Sequence, residues 1–106
     1  TTLEEDTRDL SILRSYLKDF SLAIGQRMTG RGIKCRTITV KIKYNDFKII
    51  TRGTTLNRST DSSLTLYKNS SDILANRVPM AKPVRLIGLQ VSNLVYPHEP
   101  VQISFL

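Results

Sequence analysis

The stretch RTITVKIKY at residues 36–44 alternates between polar and apolar side chains from Thr37 onward. Because side chains two residues apart lie on the same face of a β-strand, this period predicts a strand that is buried on one face and exposed on the other. The buried face would hold the apolar residues Ile38, Val40, Ile42 and Tyr44. The exposed face would hold the polar residues Thr37, Thr39, Lys41 and Lys43. Such a strand belongs in a sheet whose core lies on one side only.

The residues after this strand predict a β-hairpin. Asn45-Asp46 is typical of a turn, and residues 47–56 would form the antiparallel partner strand. Ile49 and Ile50 are adjacent and point to opposite faces, which leaves the frame of the partner strand open. We take the frame that points Phe47, Ile49 and Thr51 inward. This frame places three polar residues outward, beside the basic face of the first strand: Lys48, Arg52 and Thr54.

Two helices and a last strand complete the predicted elements. Residues 9–30 repeat apolar side chains at intervals of three and four, which indicates an amphipathic helix capped by Asp6 or Thr7 and ended by Gly30 or Gly32. A second helix would be capped at Thr60-Asp61 and run to about residue 77, and residues 84–94 would form the last strand. The residues expected to face the core are Leu10, Leu13, Leu17, Phe20, Ile24 and Met28 in the first helix, and Leu64, Tyr67, Leu74 and Val78 in the second.

These elements predict the fold class and the domain organisation. If Thr1-Thr2-Leu3 is the remnant of a first strand, the order becomes β-α-β-β-α-β. We therefore predict an α+β fold of the split β-α-β (ferredoxin-like) type, with two helices on one face of a four-stranded antiparallel or mixed sheet. The 106 residues suffice for one domain, which we place at residues 1–94, with a flexible C-terminal tail at 95–106. The chain opens without Met, and we expect it to be a domain of a longer protein.

Positive charge is concentrated around the predicted hairpin. The chain carries 16 Lys and Arg against nine Asp and Glu, a net charge of +7. Residues 27–58 hold nine of these bases and one acid, Asp46, whereas residues 1–9 hold four acids. An open sheet face of Thr and Lys suits a polyanion, because each phosphate that a base neutralises releases counterions. A basic face that only keeps the domain soluble is the alternative.

Three separated motifs resemble one protein family. They are RTITVKIKY followed by DF at residues 36–47, TRGTTL at residues 51–56 and VRLIGLQVSNL at residues 84–94. In this order and spacing they are similar to the C-terminal little finger (polymerase-associated) domain of bacterial Y-family DNA polymerases, within which the DNA polymerase IV group is most similar. The resemblance covers about residues 1–94. It implies a split β-α-β domain, tethered to the palm, fingers and thumb of the same polypeptide, whose sheet lies along the primer-template duplex.

The resemblance also implies which residues contact DNA. The domain would contact the phosphate backbone without reading bases: Thr hydroxyls and backbone amides would position the duplex, and Arg and Lys would supply the salt-dependent affinity. Carried over to this sequence, the expected contacts are Arg36, Thr37, Thr39, Lys41, Arg52, Thr54 and Arg85. Four further bases would contribute at the margin: Lys34, Lys43, Lys48 and Arg58.

The end of the chain resembles a second motif. Gln102-Ile103-Ser104-Phe105-Leu106 is similar to the bacterial pentapeptide that binds the sliding clamp (beta subunit), which has glutamine, an aliphatic residue, Ser or Asp, and two large apolar residues. Gln102 would hydrogen-bond at the edge of the clamp's groove, and Ile103, Phe105 and Leu106 would fill its apolar pockets. The motif more often places the aliphatic residue before Phe, so the order Phe105-Leu106 is a departure. An apolar C-terminus that packs on its own domain is the alternative.

The sequence argues against catalysis by this domain alone. Polymerase chemistry needs paired carboxylates that hold two metal ions, and the acids here are scattered over the N-terminus, helices, turns and tail. The resemblance places the Mg²⁺ ligands in the palm, so we expect no cofactor in this domain. His98 has no nucleophile or acid beside it, and we expect Cys35 to be partly buried and unreactive. One cysteine, no leader and no apolar span lead us to expect a cytoplasmic protein without membrane contact.

Two other functions fit this order of elements. An RNA-binding split β-α-β module would stack bases on aromatic side chains of its sheet, but the expected exposed frame of residues 36–44 is Thr and Lys. A small enzyme resembling acylphosphatase would need an anion-binding loop with a catalytic Arg and Asn, and no such loop is evident. Base stacking would support the first alternative, and turnover of an acyl phosphate would support the second.

Overall fold

The computed structural model describes residues 1–97, which form one four-stranded sheet and two helices. The elements are β1 (Thr2–Thr7), α1 (Leu10–Arg31), β2 (Lys34–Tyr44), β3 (Ile49–Thr60), α2 (Ser63–Arg77) and β4 (Val84–Val95). The strands follow the order β1-β4-β2-β3, and each neighbouring pair is antiparallel. β4 therefore separates β1 from β2, and β2 separates β3 from β4, so both β-α-β units are split. This architecture confirms the predicted fold class.

Both helices pack on the same face of the sheet. The main core cluster joins Leu13 and Leu17 of α1 to Leu74 of α2 and to Val40 and Ile42 of β2. All five side chains are fully buried. Each buried Leu, Ile or Val contributes about 1.5–3 kcal/mol relative to an exposed one. The prediction of which face of β2 is buried is confirmed, since the helices cover its apolar residues.

The ends of α1 are set by an Asp cap and a left-handed Gly. The carboxylate of Asp9 accepts a hydrogen bond from the Ser11 amide at 2.9 Å, and Gly32 ends the helix with a φ of 68°. A left-handed residue at this position favours Gly, because other residues suffer a Cβ clash. The predicted end at Gly32 is confirmed. The predicted cap at Asp6 or Thr7 is wrong, because β1 extends through Thr7 and these residues belong to the strand.

The first turn of α2 also differs from the prediction. Ser62 caps the helix through its hydroxyl, which accepts from the Thr65 amide at 3.3 Å. The predicted cap at Thr60-Asp61 is wrong, because β3 continues to Thr60. Leu64 was expected in the core but is 61% exposed, since the first turn directs it away from the sheet. The fully or nearly fully buried face of α2 consists instead of Leu66, Ser70, Ile73 and Leu74.

Candidate nucleic-acid interface

The face of the sheet opposite the helices carries a band of hydroxyls, amides and lysines. Residues paired directly across antiparallel strands point to the same face, so the register of β2 identifies its neighbours. Thr37, Thr39, Lys41 and Lys43 of β2 pair with Thr55, Gly53, Thr51 and Ile49 of β3. On the other side they pair with Ser92, Gln90, Gly88 and Leu86 of β4. We call these twelve residues the open face, and they confirm the predicted exposed frame of β2.

The predicted frame of β3 is wrong, and the hairpin loop explains why. The Tyr44 amide donates to the Lys48 carbonyl at 2.9 Å, so the loop contains three residues where the sequence suggested two. A shift of one residue turns every side chain of a strand to the other face. Arg52 therefore pairs with the buried Val40, and Thr54 pairs with the buried Ile38. Both were expected beside the lysines of β2, but they lie on the helix-covered face of an edge strand.

The same shift moves the three residues that were expected to point inward. Phe47 belongs to the loop and is 58% exposed. Ile49 and Thr51 are on the open face, and the half-buried Ile50 packs against the core in their place. The open face of β3 is thus richer in small polar residues and poorer in charge than the sequence suggested.

Three bases lie close together on the part of the sheet that leads to the β2–β3 hairpin loop. Lys41 is exposed, and Lys43 follows it two residues later on the same strand, a separation of roughly 6.6–6.8 Å. Arg85 lies beside them because of an irregularity: Lys43 pairs with Leu86 but Tyr44 pairs with Val84, which leaves Arg85 as an extra residue in β4. We count Arg85 with the open face and call Lys41, Lys43 and Arg85 the open-face bases. The Arg85 guanidinium carbon lies 4.8 Å from the centre of the Phe47 ring, and the Lys43 ammonium lies 4.9 Å from it.

The open-face bases have no carboxylate partner within residues 1–97. The ion pair found there joins Lys82 to Asp46 at 2.5 Å, and Asp46 also accepts from the Lys48 amide at 3.1 Å. The hydrogen bond from Lys82 holds the pKa of the Asp46 carboxyl below its ordinary value. The one acid of the basic stretch is therefore engaged by a residue outside the open face. The acids of β1 lie on the edge strand farthest from β3. Negative charge is therefore found at one edge of the sheet, and the positive charge of the hairpin at the other.

The hydroxyl groups of the open face differ in whether they already form hydrogen bonds within the domain. The Thr37 hydroxyl accepts from the Asn93 amide at 2.6 Å and lies 3.0 Å from the Thr55 hydroxyl. Thr39 faces Gly53, where a Cβ would lie only 2.9 Å from its hydroxyl oxygen. The absence of a side chain at Gly53 therefore leaves Thr39 room on this face. Thr37 therefore forms part of a small hydrogen-bond network, and its own proton is available to a phosphate when the Thr55 hydroxyl is the donor of the bond between them.

The remaining bases surround the open face without joining it. Arg36 is exposed, and its Nε donates to the Leu56 carbonyl at 3.1 Å, which ties it to β3. Lys48 lines a small cleft with Tyr44 and Lys82 at the hairpin end. Lys34 and Arg58 are exposed near the start of β2 and the end of β3. The predicted contacts thus divide into an open-face group (Thr37, Thr39, Lys41, Arg85) and a group elsewhere (Arg36, Arg52, Thr54).

Sequence reasoning missed several residues of the open face. Gln90 and Ser92 lie beside Thr39 and Thr37, and the alternation in β4 from Leu86 onward could have indicated them. Thr51 and Thr55 were missed because the frame of β3 was wrong. Cys35 was expected to be partly buried but is fully buried, and burial raises the pKa of its thiol, which agrees with an unreactive cysteine.

Other expectations concern metals, membranes and the tail. Among residues 1–97 there is no group of three or more His, Cys, Asp or Glu side chains placed to hold a metal ion. Neither of the two helices in this part of the chain is long and apolar enough to cross a bilayer. His98 and the predicted clamp-binding residues 102–106 lie outside the described residues.

Comparison with known proteins gives a consistent set of matches. Residues 1–105 match the model of the impB/mucB/samB family C-terminal domain. The chain is 35% identical to a DNA polymerase IV of Methanoculleus marisnigri over 94 residues, which is 89% of the chain and 26% of that protein. It is 30% identical to a DNA polymerase IV of Exiguobacterium sibiricum, over 99% of the chain and 29% of that protein. The chain therefore spans little more than a quarter of the curated relatives it matches.

Solved structures show the same fold. A DinB family error-prone DNA polymerase from Sulfolobus solfataricus superposes with a TM-score of 0.75 at 27% identity, over 92% of this chain and 28% of that one. A complex of the beta-clamp processivity factor and the little finger domain of PolIV gives a TM-score of 0.70 at 21% identity, over 93% of this chain and 88% of that one. The second match supports the fold alone.

Proposed function

This chain belongs to the impB/mucB/samB family of C-terminal domains, the little fingers of Y-family DNA polymerases, and we propose that it grips the primer-template duplex through its open face. The family match confirms the resemblance drawn from the three sequence motifs. The relatives it matches are DNA polymerases IV, so the whole protein would be a translesion polymerase of that group. Nucleotide transfer and Mg²⁺ would then belong to the palm, fingers and thumb elsewhere in the polypeptide, in the cytoplasm.

The observation that carries this proposal is the set of open-face bases without carboxylate partners. Lys41, Lys43 and Arg85 present positive charge beside the hydroxyl of Thr39 and the amide of Gln90. Such a surface can contact phosphates of any sequence, because it offers charge and hydrogen-bond donors but little shape that would select a base. Arg52 and Thr54 would reach the same duplex only around the edge of β3.

The composition of the open face argues against the alternative that this domain is an RNA-binding module. Modules of that kind stack bases on aromatic rings of the sheet. None of the twelve open-face residues is aromatic, and Tyr44 of β2 is buried in the core on the other face. Phe47 is near this face, but two cations already lie within 5 Å of the centre of its ring. Base stacking would have to displace them.

Binding to duplex DNA of unrelated sequences tests the proposed grip. We expect dissociation constants within about threefold of one another, and a plot of log K against log salt with a slope of about −3, as for three or four neutralised phosphates. Single-stranded RNA of the same length is the comparison ligand. A clear preference for RNA, or large differences among duplexes, would contradict a backbone grip.

We also propose that residues 102–106 dock on the sliding clamp. The support is the resemblance to the clamp-binding pentapeptide, together with a structural neighbour that is itself a complex of the beta clamp and a little finger domain. The full chain should bind a bacterial beta clamp, and a chain that ends at residue 101 should not. The matched control keeps all 106 residues but scrambles the last five. Equal binding by the full and shortened chains would overturn the assignment of the tail.

A further inference from the structure

Phe47 occupies a backbone position that ordinarily belongs to glycine. The three-residue loop of the β2–β3 hairpin closes with the Phe47 amide donating to the Tyr44 carbonyl at 2.9 Å. Phe47 is the third loop residue and has a φ of 68°. Hairpin loops of this length favour Gly at that left-handed position, and a bulky side chain there is strained. Folding alone therefore gives no reason for Phe at position 47.

The exposure of Phe47 is a second feature that stability does not explain. Its side chain is 58% exposed and is not part of either buried cluster. The strained backbone opposes folding, and the exposed ring contributes little burial to offset it. Strain of this kind persists where the surrounding structure holds it in place, and it is concentrated at binding and catalytic sites.

Two cations lie over the ring of Phe47. The Lys43 ammonium lies 4.9 Å and the Arg85 guanidinium carbon 4.8 Å from the ring centre, so the two charges are no more than about 10 Å apart. Both distances are within the range of a cation–π attraction, in which the negative face of the ring draws the cation. Two like charges at this separation repel each other, and the ring offsets part of that repulsion.

An aromatic ring restrains a cation differently from a carboxylate. A carboxylate neutralises its partner and occupies its N–H donors, as Asp46 does for Lys82. A ring attracts the cation through its face and leaves both the net charge and most of the donors available. Lys43 and Arg85 are therefore held near each other while remaining able to bind an anion.

We propose that Phe47 is a positioning residue that holds Lys43 and Arg85 as a two-cation clamp for a phosphate of the duplex. This inference rests on the proposed DNA grip and adds a residue that acts through its neighbours. The extra residue in β4 brings Arg85 to the clamp, and the left-handed turn brings the ring. The clamp lies at the hairpin end of the open face, beyond Lys41.

Substitutions at Phe47 separate positioning from folding. Phe47→Leu keeps the strained backbone and apolar bulk but loses the ring, so we expect duplex affinity to fall about fivefold while the melting temperature falls only slightly. Phe47→Gly relieves the strain, so the melting temperature should rise while affinity falls by a similar factor. Phe47→Trp should retain affinity. The matched control is Leu64→Ala, an exposed apolar residue on α2 that should leave binding unchanged.

A double-mutant cycle then tests whether the ring acts through the cations. Lys43→Ala with Arg85→Ala should flatten the salt slope by about 2, and adding Phe47→Leu to that pair should change affinity no further. A Phe47→Leu effect that persists without the two cations would mean that the ring touches DNA itself, and would overturn the clamp. Wild-type affinity in Phe47→Leu would also overturn it and leave the DNA grip intact. Absence of duplex binding by the wild-type chain would overturn both proposals.

Discussion

The two faces of the central sheet share their strands but have opposite chemistry. On the helix-covered face, β2 contributes Val40 and Ile42, which are fully buried. On the open face, the alternate residues of the same strand, Lys41 and Lys43, carry charge toward solvent. A strand whose side chains alternate in this way separates stability from binding at the level of single residues. Substitutions one position apart should therefore affect different measurements.

The largest expected effect comes from the buried face. Ile42→Ala removes a fully buried side chain from the main cluster, and we expect the free energy of unfolding to fall by about 3 kcal/mol. Ile49→Ala is the matched control, because Ile49 is on the open face next to Lys43 and is 52% exposed. It should change the free energy of unfolding by less than about 0.5 kcal/mol. Chemical denaturation of both variants measures the difference, and equal losses would contradict the assignment of the two faces.

The next largest effect is expected on duplex affinity, when a base on each face of the sheet is replaced in turn. Lys41→Ala removes an exposed open-face charge, so duplex affinity should fall about fivefold at low salt and the salt slope should decrease by about 1. Arg52→Ala removes a base of equal charge from the helix-covered side, and it should change affinity by less than about twofold. Both losses should be the same for unrelated duplexes. A larger effect of Arg52→Ala would show that DNA follows the edge of β3 instead of the open face.

The smallest effect concerns the ion pair at the hairpin end. Lys82 lowers the pKa of Asp46 from its ordinary value of 3.8, so the pair stabilises the fold above that value and ceases to do so as pH falls through the lowered pKa. Both side chains are partly exposed, so the contribution is small. Asp46→Asn should have a slightly lower melting temperature than wild type at pH 7, and the difference should disappear as the pH falls through the lowered pKa of Asp46. A difference that persisted in acid would assign the effect to the turn and not to the charge.

Local patterns were sufficient for much of the fold. The period of two in residues 37–44 identified the buried and exposed faces of β2, because one face is completely covered by helices. The apolar repeat of α1 and its end at Gly32 were likewise evident, since spacing and a left-handed Gly are local properties. Three motifs in order identified the family. These features depend on residues close in sequence, and no distant partner is needed to interpret them.

The binding surface depended on pairings that no local pattern encodes. The caps of both helices were misplaced because the lengths of β1 and β3 are set by their partner strands. Arg52 was assigned to the wrong face because one hydrogen bond, from the Tyr44 amide to the Lys48 carbonyl, makes the loop three residues long. The meeting of Lys43, Phe47 and Arg85 required an irregular register between β2 and β4. In β2 the alternation of apolar and polar residues was enough to identify both faces. In β3, where Ile49 and Ile50 are adjacent, only the register with β2 decides which residues face the helices.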